Sequence, residues 1–205
     1  MHGAVFLDKD GTLLVNVPYN VDPALVHFTA NAFEGLRALA AAGWPLVMIT
    51  NQSGLASGRF GLAQYEHLQR VVAQRLRDEA GIVLAGWFTC PHAATRPAAC
   101  ACRKPAPGLL HEAAAMHGID LARSWMVGDT LDDIEAGRRA GCATVLVESG
   151  GETEWELTPP WRVPHHRVAD LLAASRAIVA GGRSRGDIRV GGGGIGGEIG
   201  GEARR

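Results

Sequence analysis

The sequence predicts an α/β protein built on a central parallel sheet. Three observations lead there. Short apolar runs alternate with longer segments of helical periodicity. Residues 45–50 (PLVMIT) are continuously apolar, as expected of a parallel strand covered on both faces. Asp8, Thr50 and Asp129 each follow directly on a predicted strand. A parallel arrangement gathers all three beyond the carboxyl ends of the strands, where the chemistry of such sheets lies.

Taken in order, residues 5–7 read as the first strand. Asn31 followed by Glu34 is a capping-box-like pair, and it opens a helix through Leu36 and Leu39 that stops at Gly43. The second strand is 45–50. Leu68, Val71, Val72 and Leu76 lie at helical spacing within 62–80, and Gly81 ends that helix. Residues 83–89 read as a third strand. A helix over 108–117 has Pro107 near its start and Gly118 at its end. Residues 124–127 form a fourth strand, 132–140 a helix closed by Gly141, 143–147 a fifth strand and 168–179 a last helix. Met48 and Met126 fall within strands and belong to the core, and Cys142 packs as a small apolar residue. Trp155 and Trp161 read as packing anchors, and His165 and His166 as loop residues. From Gly181 the composition turns Gly-rich. Such a segment buries too little surface to offset its entropy, so 1–180 is read as one domain and 181–205 as a disordered tail.

The chain has 205 residues, 47% hydrophobic and 20% charged, with a formal net charge of −1. That suits one domain with an ample core. It offers no basic track for nucleic acid, and no apolar run spans a membrane. A cytoplasmic monomer without nucleic-acid or membrane partners is expected.

The run Leu7-Asp8-Lys9-Asp10-Gly11-Thr12 places two carboxylates on one side of a strand end. Like charges that close are costly without a cation, so the pair calls for a divalent metal. One carboxylate is then free to attack and the other to shuttle a proton. Thr50-Asn51-Gln52-Ser53-Gly54 can present hydroxyl and N–H donors to a phosphate. Arg103-Lys104 can neutralise and grip a phosphoryl group. Gly128-Asp129 with Asp132 and Asp133 can complete an oxygen-ligand set for Mg²⁺. Each run also has an ordinary reading as a polar turn or an exposed charge pair.

Cys90-Pro91-His92, a seven-residue spacer and Cys100-Ala101-Cys102 form a second cluster. An even cysteine count admits two disulfides. Three cysteines around one histidine instead suit a closed, structural Zn²⁺ site that pins a loop lacking its own core. That loop leads directly into Arg103 and Lys104.

Taken together, DKDGT, TNQSG, RKP and GDTLDD resemble, in order, the four motifs of the haloacid dehalogenase superfamily of phosphatases. The resemblance implies a Rossmann-like three-layer sandwich and a Mg²⁺-dependent phosphohydrolase. It makes Asp8 the nucleophile, Asp10 the acid and then base, and Thr50 and Lys104 the holders of the phosphoryl oxygens. Asp8, the Asp10 carbonyl and Asp129 would ligate Mg²⁺, with Asp133 supporting them. As the acid, Asp10 must carry a proton when the ester binds. The cysteine loop, the 51–54 run and Gly58-Arg59-Phe60 are similar to the subgroup of D-glycero-D-manno-heptose 1,7-bisphosphate 7-phosphatases and histidinol-phosphate phosphatases. The implied substrate is a small phosphate ester. The heptose bisphosphate is favoured because Arg103-Lys104 and Arg59 could serve a second phosphate, with Asn51 also expected to bind substrate. Histidinol phosphate or another polyol phosphate is the alternative. The spacer length and residues 151–155 depart from the usual heptose pattern. No large cap insertion follows the first or third strand, so the zinc loop and residues 14–28 should rim an open site. A polynucleotide phosphatase and a non-catalytic zinc scaffold are the more distant readings.

Overall fold

The computed structural model describes residues 2–93, 100–148 and 156–181. The Gly-rich tail beyond 181, the 151–155 segment with Trp155, and most of the spacer between His92 and Cys100 lie outside the described residues. Among the described residues, six parallel strands make one sheet in the order β3-β2-β1-β4-β5-β6. They are β1 Val5–Leu7, β2 Leu46–Asn51, β3 Gly86–Cys90, β4 Trp125–Gly128, β5 Ala143–Val147 and β6 His166–Val168. The helices are α1 Ala32–Ala41, α2 Leu62–Ala80, α3 Gly108–His117, α4 Leu131–Arg139 and α5 Leu171–Ala180.

The sheet is buried on both faces because alternate strand residues feed two cores. Val5, Leu7, Met48, Val127 and Val145 pack with Leu36 and Leu39 of α1, Leu68 and Val72 of α2 and Ile178 of α5. Phe6, Val47, Ile49 and Met126 pack with Leu110 and Ala113 of α3 and Ala136 of α4. This is the three-layer sandwich the sequence predicts. Met48, Met126 and Cys142 are core as expected. The β1–α1 connection (residues 8–31) and the β3–α3 connection (91–107) carry no cap among the described residues.

Four local expectations are corrected. The third strand begins at Gly86, not 83, and Val83 is 69% exposed. A sixth strand, His166–Val168, precedes α5, so that helix starts at Leu171. Asn31 does not cap α1. It takes a left-handed conformation (φ 58°), and its Nδ2 donates to Asp170 Oδ2 at 2.7 Å, joining α1 to α5. Trp161 is exposed and lies beneath the Arg139 guanidinium.

His165 is also more than a loop residue. Its Nδ1 accepts from the Thr144 N–H at 3.0 Å, which ties the loop before β6 to β5.

Candidate active site

The order β3-β2-β1-β4 puts β1 at the centre, and all neighbouring strands end on the same side. The switch in chain direction around β1 opens a crevice beyond its carboxyl end. Asp8 stands there, its N–H bonded to Val127 O at 2.9 Å, so β4 fixes the backbone of the first carboxylate. The chain then turns sharply, with Gly11 N–H on Leu14 O at 2.7 Å. Gly11 has φ +89°, and a Cβ there would sit 2.1 Å from Asp129 Oδ2. The turn therefore closes against Asp129 only because residue 11 has no side chain. Thr12 Oγ1 donates to Asp129 Oδ1 at 3.2 Å.

Asp133 enters from α4. Thr130 caps that helix, and Asp133 Oδ2 accepts from Thr130 N (3.1 Å) and Oγ1 (2.7 Å) in a reciprocal capping box. Gly128 makes room: a Cβ there would meet Asp133 at 2.3 Å. Carboxylate oxygens of Asp8, Asp129 and Asp133 lie within 4.8 Å of one another, and all three residues are buried.

Lys104 is 3% exposed and fully engaged. Its ammonium donates to Asp8 Oδ1 and to Ile49 O (3.1 Å), and it pairs with Asp133 Oδ1 at 2.5 Å. The ammonium thus makes two hydrogen bonds and one further ion pair. Burial disfavours the ammonium, but Asp133 and Asp8 outweigh it and hold the Lys104 pKa above the usual lysine range. The Asp8 pKa also rises, which for a carboxylate disfavours the charged form. Burial pushes its pKa well up, Lys104 opposes, and Asp133, Asp129 and Asp10 add to the rise. Three acids facing one cation leave negative charge uncompensated. An all-oxygen donor set of this kind fits a hard divalent ion such as Mg²⁺.

Asn51, expected as a substrate contact, is bonded on both sides of its amide. Its Oδ1 accepts from Lys104 N (3.1 Å) and its Nδ2 donates to Lys104 O (3.2 Å), so it locks the lysine backbone while lining the cleft. Gln52, whose role the sequence left unassigned, bridges two expected catalytic groups. Its Nε2 donates to Asp10 Oδ2 (2.8 Å) and to Thr50 Oγ1 (2.9 Å). Arg103 lines the cleft and donates to His92 O at 3.3 Å. Arg59 is exposed and stacks 4.2 Å over the ring of Tyr19, which itself lines the cleft. The cleft encloses about 520 Å³. Arg162 and Asp132 also line it. Arg162 had no sequence signal, because it arrives from the segment before β6.

The second cluster sits one strand over. Asn51 pairs in register with Cys90 at the end of β3, and Gln52 N donates to Cys90 O at 2.8 Å. Cys90, Cys100 and Cys102 sulfurs stand 3.2, 3.5 and 3.8 Å apart, and His92 Nδ1 is 3.2 and 3.5 Å from two of them. A tetrahedral thiolate site with bonds of about 2.3 Å has edges near 3.8 Å, so these four residues fit around one Zn²⁺ with slight expansion. No disulfide joins them. Burial and the neighbouring thiols push Cys102 up to about 12, the expected strain on crowded thiols that a cation relieves.

A profile for HAD-hydrolase-like proteins matches residues 101–175. The D-glycero-beta-D-manno-heptose-1,7-bisphosphate 7-phosphatase of Salmonella typhi is 39% identical, over 83% of this chain and 94% of the relative. The enzyme of the same name from Escherichia coli K12 is 40% identical, over 72% and 80%. The crystal structure of the D,D-heptose 1,7-bisphosphate phosphatase from B. bronchiseptica, complexed with magnesium and phosphate, superposes with a TM-score of 0.74 at 31% identity, covering 87% of this chain and 99% of that one. The chain belongs to the HAD-like hydrolases, in the family of the D-glycero-beta-D-manno-heptose-1,7-bisphosphate 7-phosphatases. It is a phosphatase. No helix among the described residues is long and apolar enough to cross a membrane.

Proposed function

We propose that this phosphatase removes the 7-phosphate of D-glycero-D-manno-heptose 1,7-bisphosphate through an aspartyl-phosphate on Asp8. The observation that carries the reading is the meeting of Asp8, Asp129 and Asp133 with Lys104 at one sheet edge, in a chain whose relatives carry that activity in their names.

Mg²⁺ would be held by Asp8, the carbonyl of Asp10 and Asp129, as an ion accompanies the phosphate in the B. bronchiseptica structure. Bound there, it neutralises charge on the transferring phosphoryl group. The chain's own residues do the rest. Asp8 Oδ attacks phosphorus as the ester bond to the sugar oxygen breaks. Asp10 gives that oxygen a proton, then takes one from the water that hydrolyses the aspartyl-phosphate. Thr50 and Lys104 hold the equatorial oxygens, Lys104 by exchanging one of its present acceptors for phosphate. Asp133 keeps the ammonium in place. Gln52 sets the distance between Asp10 and Thr50. Zn²⁺ at Cys90, His92, Cys100 and Cys102 would hold the loop that presents Arg103 and Lys104.

The test is phosphate release by the full chain with Mg²⁺, comparing heptose 1,7-bisphosphate with histidinol phosphate, and ³¹P NMR of the product. A kcat/KM ratio of about 100 or more for the bisphosphate, with the 1-phosphate retained, is expected. A preference for histidinol phosphate overturns the substrate assignment.

A further inference from the structure

Arg162 lines the same cleft as Asp8, yet nothing in the mechanism uses it. Two carboxylates of α4 hold its guanidinium: Nε donates to Glu135 Oε2 at 2.7 Å and Nη2 to Asp132 Oδ1 at 2.8 Å. Guanidinium carries five N–H donors in a planar fork. The pairs use the side edge. Nη1 and the second Nη2 hydrogen have no partner among the described residues, and together they form the end edge, the shape that grips a phosphate bidentately.

Its neighbours make this a held arginine rather than a loose one. Arg139 also pairs with Glu135, Nε to Oε1 at 2.8 Å, and covers Trp161 next in sequence. Arg138 Nη2 donates to Pro160 O at 3.3 Å. The segment around 160–162 is thus clasped onto α4 from three sides. Two arginines face Asp132 and Glu135, so the group is close to neutral overall. An anion meeting Arg162 would be recognised by directed N–H bonds rather than by net charge.

The placement is complementary to Arg103. That residue follows β3, on one flank of β1, and Arg162 follows β5, on the other. A cleft of about 520 Å³ holds more than one phosphoryl group. We infer that Arg162 is a specificity-determining residue that grips the non-reacting phosphate of a sugar bisphosphate while the other phosphate sits at Asp8. This rests on the bisphosphate reading above.

The test compares full-length wild type, Arg162→Gln and Arg162→Lys. The readout is kcat/KM on heptose 1,7-bisphosphate divided by kcat/KM on 4-nitrophenyl phosphate. Arg162→Gln should lower that ratio by about 10- to 100-fold, mainly through KM for the bisphosphate, and Arg162→Lys should recover part of it. A wild type indifferent to the second phosphate overturns the bisphosphate reading itself. A wild-type preference that survives Arg162→Gln overturns only the arginine assignment, and so does an equal loss on both substrates, which marks Arg162 as a structural clasp. Should Arg162→Gln fail to fold, Arg162→Lys alone decides: an unchanged or equally scaled pair of constants rejects the inference.

Discussion

The carboxylate cluster and the thiol cluster occupy neighbouring strand ends, yet they hold their shape by different means. Asp8 and Asp129 stand directly after β1 and β4 and Asp133 stands on α4; the Asp8 N–H is bonded to β4 and Asp133 is held by the cap of its helix. Cys90 alone of the second group lies on a strand, while His92, Cys100 and Cys102 come from the connection after it. The first cluster is preorganised by the fold, and a metal there would serve chemistry. In the second, Cys90 is buried in the core and Cys100 and Cys102 pack against it, but three of the four ligands come from a connection, and a metal there would serve structure. Ligand removal should therefore separate activity from stability in opposite ways at the two places.

The largest effect expected is that of Asp8→Asn. It removes the proposed nucleophile and one charge from the proposed metal site but almost no volume, so turnover should fall by about 10⁴-fold or more. The midpoint of thermal unfolding should stay within a few degrees, because burial and three neighbouring acids already make the Asp8 carboxylate costly. A steady-state assay paired with calorimetry checks both. Substantial remaining activity would remove Asp8 from the nucleophile's role.

Cys102→Ser should show the reverse balance. Bound zinc, read by elemental analysis, should drop by about one ion per chain, and the unfolding midpoint by about 5–15 °C. Activity should fall less steeply than in Asp8→Asn, since Arg103 and Lys104 lose a support rather than their own chemistry. Unchanged metal content would show that the four ligands close on nothing.

The same contrast explains what could be read from the chain alone. That Asp8 and Asp129 meet was legible because each sits immediately after an apolar strand, and parallel strands leave their ends on one side. Strand β3 was read early because Ile82, Val83 and Leu84 are apolar, whereas Gly86 and Cys90 look unlike strand residues. In the fold Val83 faces solvent and the ladder begins at Gly86. Strand β6 is three residues, His166-Arg167-Val168, too short and too polar to show a period. Asn31 carried a local capping signal, but its amide found a better acceptor in Asp170, 139 residues away. Arg162 could not be read at all, because its meaning comes from Asp132 and Glu135 across a tertiary contact.

Gln52→Ala probes the cleft without touching its charges. It frees Asp10 and Thr50 from their common donor while leaving Asp8, Lys104 and the thiol loop in place. A loss of about tenfold in kcat is expected, with little change in stability, since a catalytic acid displaced by a fraction of an ångström transfers its proton less often. Gln52→Glu, which adds a charge beside Asp10, should lose more. Equal, negligible effects would mean that Asp10 is oriented by Lys9, whose ammonium lies 2.7 Å from its other oxygen.

The smallest effect belongs to a residue outside both clusters, and it supplies the reference for the others. Asp170 caps α5 by accepting from Ala173 N at 2.7 Å, and it also accepts from Asn31. The Ala173 N–H, chiefly, and the Asn31 amide hold its carboxyl below the usual carboxylate range, with burial opposing. A depressed acid stabilises the fold fully above its unfolded value of about 4, and that contribution is lost as pH falls through the lower folded value. Asp170→Ala should therefore cost about 1 kcal/mol, or about 2–4 °C in the unfolding midpoint, between about pH 5 and 8. The gap to wild type should narrow as the pH drops below about 4, because both proteins then lack the charged cap. Activity at 25 °C should match wild type. If Asp170→Ala loses activity in proportion to stability, then the activity lost in Cys102→Ser is a general consequence of a weaker fold. If it does not, that loss is specific to the loop that carries Arg103 and Lys104.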